Sequence, residues 1–560
     1  MLMSLIDVRQ MFLLVALNTD AILGETSLAK RKKMLKKVST TGVDLESVYA
    51  QTLQRIREQK GDRSRLGVEV LMWVSHAKRP LTIGELCHAL AVEIESKDLD
   101  PENICPQDAV LASCLGLVVV DEETSIVRLI HYTLQEYLYL PGVLPDAHEA
   151  LALKCLAYLN SNQVKSLPTD SQPNLQDMPF LEYSAVYWGI HARAELSSRA
   201  RLFALETLWF YDRHISAALL FSHIHSSGNI FVDVPLFTVL HCASYFGIVD
   251  LAEALIEMRG RDVNESDCKG FTPLIWAAHW GNEGVVSLLL AKDGTIPDKQ
   301  NNYGQTPLLQ ASFQGHEGVV RLLLARTDVN PDERDIDDST PLSHASFGGH
   351  EAVVGLLLAR GVNPDNPDND GQTPLSEAAF AGREGVVRLL LARGVNPDRP
   401  DKHGETPLSQ ASSGGHEGVV RVLLARSDVN PDKPNTQGES PLWRASEGGH
   451  EGVVRLLLAR NDVNPDKPNR SSRGPLWIAS RKGHEGVVKL LLARDDVDPD
   501  MQDDWGMTPL KIASIHTQSK IIALLQLRTT TPSSLNKAQS EMFSSPFVIY
   551  INAKTPPWFQ

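Results

Sequence analysis

Gly304-Gln305-Thr306-Pro307-Leu308-Leu309-Gln310-Ala311-Ser312-Phe313-Gln314-Gly315-His316-Glu317-Gly318-Val319-Val320-Arg321-Leu322-Leu323-Leu324 holds the start, the end and the apolar faces of two consecutive helices. Thr306 is an N-cap type, and Pro307 follows at the first helical position, where a missing N–H costs nothing. Gly315 ends the first helix. From Glu317 to Arg326 the valines and leucines recur at i, i+3 and i+4, which predicts a second helix with one buried stripe. Asp328-Val329-Asn330-Pro331-Asp332 breaks it and leads into a turn. Working outward, Pro-Leu recurs at Pro273, Pro307, Pro341, Pro374, Pro407, Pro441, Pro475 and Pro509, at intervals of 34, 34, 33, 33, 34, 34 and 34 residues. A weaker copy, Thr238-Val239-Leu240, lies 34 residues before Pro273, so the array spans residues 236–528. One such pair cannot bury its own apolar face, and stability has to come from stacking on neighbouring copies.

This period and this pattern resemble the ankyrin repeat. The resemblance implies a mainly α fold, a solenoid of about nine helix pairs, hairpin-like loops projecting to one side, and a binding groove. It also implies a protein-interaction scaffold with no chemistry of its own: no enzyme, no cofactor and no metal. The residue two places after the Pro-Leu leucine, often apolar in the family, is polar here at Gln310, His344, Glu377, Gln410 and Arg444.

By the same resemblance the groove is lined by the last two residues of each first helix. In this chain these include Tyr245 and Phe246, His279 and Trp280, Phe313, Phe347, Phe380, and Arg481 with Lys482. The series is aromatic in the first five copies and small or charged afterwards. Aromatic side chains on an exposed face are the type found at interface hot spots, which points to a protein ligand. The competing reading is that the phenylalanines pack between adjacent first helices and that Tyr245 and Phe246 dock the preceding domain. The recurring His316, His350, His416, His450 and His484 stand one repeat apart, too far for a shared ion whose ligands must lie about 2 Å away, so they read as structural loop residues.

Ahead of the array the grammar changes. Thr82 and Glu85 form a capping box, which starts a helix at Ile83 running to about Val92. A further helix is expected at Gln107 to Cys114. Leu117 to Val120 and Ile126 to Ile130, joined by Asp121-Glu122-Glu123-Thr124-Ser125, read as two strands. Helix, helix, helix and hairpin is the order of a small α+β winged-helix domain, assigned to residues 61–142, with an α-helical linker region over 143–235. Between Leu81 and Leu115 seven acids face the single base Lys97, a poor surface for phosphate contacts, so a winged-helix DNA-binding role is the weaker alternative.

The stretches Trp73 to Thr82, Leu129-Ile130-His131-Tyr132-Thr133-Leu134-Gln135-Glu136, and Tyr187-Trp188-Gly189-Ile190-His191 resemble the region between the ATPase and the repeats of fungal NACHT, or NOD-like (STAND-class), receptors. The resemblance implies that His131 contacts a nucleotide diphosphate held by the ATPase, in cis or in trans. The chain has no Gly-x-x-x-x-Gly-Lys-Ser/Thr phosphate loop, and Gly24 to Lys30 lacks the glycine spacing. Residues 1–60 resemble only the last helices of such an ATPase, and His131 also reads as a structural residue. The alternative reading is a fragment of an intact signalling ATPase. The basic run Lys30 to Lys37 reads as a solvated helix face or a nuclear signal, and residues 529–560 as a disordered tail.

Composition fits this reading. Of the 560 residues 42% are hydrophobic, which excludes a mostly disordered chain. The net charge is −15, which argues against broad attachment to nucleic acid or anionic membranes, and 40 of the 69 acids but 30 of the 54 bases lie between Leu236 and Arg528. Six scattered cysteines without a CxxC pair point to a reducing compartment, the cytoplasm or the nucleus.

Overall fold

The computed structural model describes residues 45–167, 177–193, 203–205, 220, 237–257 and 262–530. Residues 1–44 of the stretch expected to resemble the last helices of an ATPase, the basic run Lys30 to Lys37 within them, and the tail beyond residue 530 lie outside the described residues. Two compact units divide at Asn302 and Tyr303.

The first unit opens with helices α1 (Leu45–Arg57), α2 (Arg63–His76), α3 (Ile83–Ala91) and α4 (Gln107–Ser113), then strands β1 (Val118–Val120) and β2 (Val127–Leu129), then α5 (Tyr132–Leu138). The capping box of α3 is present: the Glu85 N–H donates to the Thr82 hydroxyl, and the Thr82 N–H donates to the Glu85 carboxylate at 2.8 Å. β1 and β2 pair antiparallel, with Val119 opposite Arg128, and Thr82 bridges to Ile126 to lengthen the small sheet. Helix α2 is the centre of the domain. A Cβ on its Gly67 would lie 2.5 Å from the Ser113 carbonyl oxygen and 2.7 Å from Ile56, so only glycine lets α1 and α4 approach this closely.

Helices α6 (Ala147–Leu159), α7 (Asn162–Lys165) and α8 (Leu181–Ala192) follow. α6 and α8 pack on one another, and the buried rings of Trp73, Tyr158 and Phe180 meet edge-on at 5.2–5.3 Å. Two helix pairs complete the described part of this unit: α9 (Val239–Phe246) with α10 (Val249–Glu257), and α11 (Pro273–His279) with α12 (Glu283–Ala291).

In the second unit the pairs are α13 (Pro307–Gln314) with α14 (Glu317–Leu324), α15 (Pro341–Gly348) with α16 (Glu351–Ala359), α17 (Pro374–Phe380) with α18 (Glu384–Leu391), and α19 (Pro407–Ser413) with α20 (Glu417–Leu424). Three more follow: α21 (Pro441–Gly448) with α22 (Glu451–Leu458), α23 (Pro475–Lys482) with α24 (Glu485–Leu492), and α25 (Pro509–Ile515) with α26 (Ser519–Thr530). Thr306, Thr340, Thr373, Thr406, Ser440 and Thr508 each accept the backbone N–H three residues on, as N-caps, with proline next in line. First helices pack on first helices and second on second. Val319, Val320 and Leu323 and their counterparts in the copies from Pro341 to Pro475 are buried, at about 1.5–3 kcal/mol for each such side chain.

The polar residues in the first helices do not loosen this packing. Leu308, Ala311, Leu342, Ala345, Leu375 and Ala378 are wholly buried around them. The loops are joined by a chain of backbone hydrogen bonds: Ile336 N–H to Tyr303 O, Asn369 N–H to Asp337 O, Lys402 N–H to Asp370 O, Thr436 N–H to His403 O and Arg470 N–H to Gln437 O, all at 2.8–3.1 Å. At the far ends of the second helices, Asp398, Asp432 and Asp466 each accept the backbone N–H of Asn430, Asn464 and Asp498 in the following copy at 2.7 Å. The recurring aspartates are therefore inter-repeat joints as well as a source of negative charge.

Candidate functional site

In the second unit the ends of the first helices present large apolar side chains to solvent. Phe313 is 42% exposed, Phe347 40% and Phe380 59%, each at the equivalent position of its helix. They do not pack between the first helices. Phe313 meets the ring of His344 edge-on at 5.4 Å. Ile515, at the same position of its first helix, is also exposed in this unit, as is Trp505 in a loop outside the groove positions.

One helical turn nearer the loops runs the polar row at Gln310, His344, Glu377, Gln410 and Arg444. Gln310 donates to Gln305 at 2.6 Å, His344 Nε2 lies 2.9 Å from Asp335 Oδ2, and Gln410 donates to Gln372 at 2.6 Å and to Asp401 at 3.3 Å. Arg444 sits among Glu447, Glu405 and Glu439 at 3.2, 3.5 and 3.7 Å. The Glu377 carboxyl has no hydrogen bond or ion pair among the described residues. Burial, with a further push from Asp368, raises its carboxyl to about 7.

Farther along, Arg481 is exposed, its guanidinium 5.9 Å from the Trp477 ring, and Lys482 pairs with Glu447 at 3.3 Å. Arg473 lies against the rings of Trp477 and Trp505 at 4.3 and 4.8 Å. The histidines are hydrogen-bonded rather than free for a ligand. Nε2 of His350, His416, His450 and His484 lies 2.8–3.1 Å from the carbonyl of Phe313, Phe380, Ser413 and Glu447, so each ring donates to the groove residue of the copy before it.

In the first unit Trp280 is 43% exposed and Tyr245 half-buried, their rings 5.0 Å apart, with half-buried His279 5.3 Å from Trp280. Phe246 departs from the expectation for a groove residue. It is 2% exposed, packs edge-on against Trp188, and would be struck by any Cβ on Gly189, so it joins α9 to α8. This agrees with the docking alternative for Phe246.

A cleft of about 350 Å³ in the winged-helix region is lined by Lys78, Arg79, Arg128, His131, Tyr132 and Gln135 together with apolar side chains. Arg79 is held by Glu85 at 2.6 and 3.0 Å, and Arg128 lies 3.7 Å from Asp121. His131 caps α5: its Nδ1 accepts the Thr133 N–H at 3.3 Å. The neutral ring therefore carries its proton on Nε2. The acid-rich stretch 81–115 supplies no cation to this cleft; its cations lie just outside that stretch, at Lys78, Arg79 and Arg128.

A family model described as ankyrin repeats in three copies matches residues 240–335, 327–401 and 384–469, and one described as ankyrin repeats in many copies matches residues 476–526. A model described as the winged helix domain of GPI inositol-deacylase matches residues 53–147. No curated protein matches the chain. Among solved structures, the ankyrin repeat domain of human ASB11 is 26% identical over 41% of this chain and 100% of that one, with a TM-score of 0.37. Residues 240–526 of this chain are thus ankyrin repeats, and they follow a winged-helix domain.

Proposed function

We propose that the chain is a non-catalytic interaction scaffold that holds a protein ligand on the first-helix ends of its ankyrin repeats. The exposure of Phe313, Phe347 and Phe380 at one repeated position carries this reading. Side chains that cost nothing to bury elsewhere in the fold are kept in water, the arrangement expected of a surface awaiting a partner. Trp280 with Tyr245 offers the same chemistry in the first unit. The test replaces Trp280, Phe313 and Phe347 by Ala in the full chain and measures partner capture alongside thermal melting. The expected result is lost capture, with each contact worth about 2 kcal/mol or more, at an unchanged melting temperature. Unchanged capture overturns the assignment, as does a loss explained by unfolding.

The finer reading is a sensing and regulatory part of a NOD-like signalling system, in the cytoplasm or nucleus, coupled to a NACHT-type ATPase of another chain or of a longer form of this one. Its support is the order of winged helix, helical linker and repeats, and the cleft beside His131. Among the described residues no helix is long and apolar enough to cross a membrane. The Nε2–H of His131 with Lys78, Arg79 and Arg128 makes a donor set suited to a phosphate group. Without an ATPase to hold the rest of a nucleotide, this cleft alone is expected to bind ADP weakly. Calorimetry on the isolated chain checks this: micromolar affinity for ADP overturns the view that the ATPase must supply the site.

A further inference from the structure

In the row of first-helix residues beside the exposed phenylalanines, Gln310, His344, Gln410 and Arg444 each have a hydrogen-bonded or ionic side-chain partner, although Gln410 Oε1 and Arg444 Nε are left without a hydrogen bond. His344 has Asp335, Gln410 has Gln372 and Asp401, and Arg444 has three carboxylates, whereas the Glu377 side chain has no such partner among the described residues. Glu377 is half-buried, stands one helical turn from Phe380, and is flanked by like-charged Asp368 from its own loop and by His344 from the preceding first helix. Asp368 Oδ1 already accepts the backbone N–H groups of Asp370 and Gln372, so it is fixed in place as a second anion. The neighbouring exposed loop tips carry Asp337, Asp338 and Asp370, against Lys402 on the next tip. A carboxylate withdrawn from water without a counter-charge is unfavourable, and the fold keeps this one a helical turn from exposed Phe380.

We propose that this face takes a segment of a partner protein in which a Lys or Arg stands among apolar side chains, the cation reaching Glu377 and Asp368 while the apolar groups cover Phe347 and Phe380. This rests on the reading of the first-helix ends as the binding surface and adds the chemistry of what they bind. Adjacent packed helices are about 10 Å apart, and an extended chain rises about 3.3 Å per residue, so an extended segment would meet successive phenylalanines with every third side chain. A long basic side chain on that segment reaches one helical turn towards the loops to meet Glu377. Pairing with a base favours the ionised form of Glu377, whose carboxyl is raised to about 7 by burial and by the neighbouring Asp368.

The experiment pans a phage-displayed random peptide library on the full chain at pH 8, and repeats it on Glu377→Lys and on Phe347→Ala with Phe380→Ala, all checked by thermal melting. Glu377 lies on the half-buried face, and removing its uncompensated charge in Glu377→Gln provides a further variant expected to melt no lower than the wild type. Expected is enrichment of peptides with Lys or Arg among apolar residues, loss of the base and appearance of Asp or Glu on Glu377→Lys, and weaker binding of the winning peptide to Glu377→Gln. That peptide should also bind up to about tenfold more weakly at pH 6 than at pH 8, as Glu377 takes up its proton. Peptides that are apolar without a base, yet depend on Phe347 and Phe380, overturn the basic partner and leave the binding surface standing. Peptides indifferent to the phenylalanines, or no enrichment at all, overturn both.

Discussion

His484 shows how a single repeated side chain joins two copies. Its backbone N-caps α24, while its ring Nε2 lies 2.8 Å from the carbonyl of Glu447 and fills the space above Gly449, where a Cβ would meet the ring at 2.5 Å. The glycine at φ 77° ends one first helix and makes room for the next copy's histidine, so the two positions act as a lock and key across the repeat boundary. Replacing His484 by Ala leaves a part-buried carbonyl without its donor and removes the ring from its slot. The expected loss is about 1–2 kcal/mol of stability, seen as a lower denaturation midpoint for the second unit. An unchanged midpoint would show that these histidines are ornamental to the stacking. In the copy that has Arg383 instead, Nε donates to the Phe347 carbonyl at 3.0 Å, so the donor is retained though the ring is not.

Elements were legible in sequence wherever local chemistry sets them. The N-caps at Thr306 and Thr340, the proline after them, and the glycine after α13 and α15 all act within four or five residues, and α13 to α16 start where that grammar puts them. The capping box of α3 and the antiparallel pair β1 and β2 follow for the same reason, with α4 and the strands trimmed by a residue at their ends. What sequence could not give is partnership across distance. Phe246 and Trp280 occupy equivalent places in their copies, yet the first is covered by Trp188 and the second is 43% exposed, because α8 lies over α9. Glu377 was visible as a polar departure from the repeat pattern, but its isolation follows from which neighbours the loops present. The cleft at His131 likewise gathers Lys78 and Arg79 from the loop after α2 with Arg128 from β2.

At the scale of the whole molecule the two units carry opposite sensitivities to acid. In the first, His76, His148 and His191 meet where α2, α6 and α8 converge: His148 and His191 Nδ1 atoms are 2.9 Å apart, the Tyr183 hydroxyl is 2.9 Å from His191 Nε2, and Ser75 Oγ is 2.7 Å from His76 Nδ1. Burial lowers His76 to about 4 and His191 to about 3, lowers His148 as well, and the mutual repulsion of the ring charges and Lys78 adds to the effect. Buried His241 in α9 is lowered to about 4. These imidazoles are neutral in the folded chain but protonate near 6.5 when unfolded, so the stability they permit is complete above 6.5 and is lost as pH falls below it. At pH 5 the loss is about 2 kcal/mol for a group such as His76. Glu377 in the second unit has the opposite sign: its raised carboxyl binds a proton in the folded state before it does so unfolded, so lowering the pH from 8 to 5 relieves its desolvation. Calorimetric scans at pH 7.5 and 5 should therefore show the transition of the first unit moving down by several degrees while that of the second holds or rises. Because the units divide at Asn302, a mutation such as His191→Gln, which cannot take up a proton, is expected to blunt the acid shift of the first transition alone. If both transitions fall together at pH 5 and His191→Gln changes neither, the histidine junction is not what makes the first unit acid-sensitive.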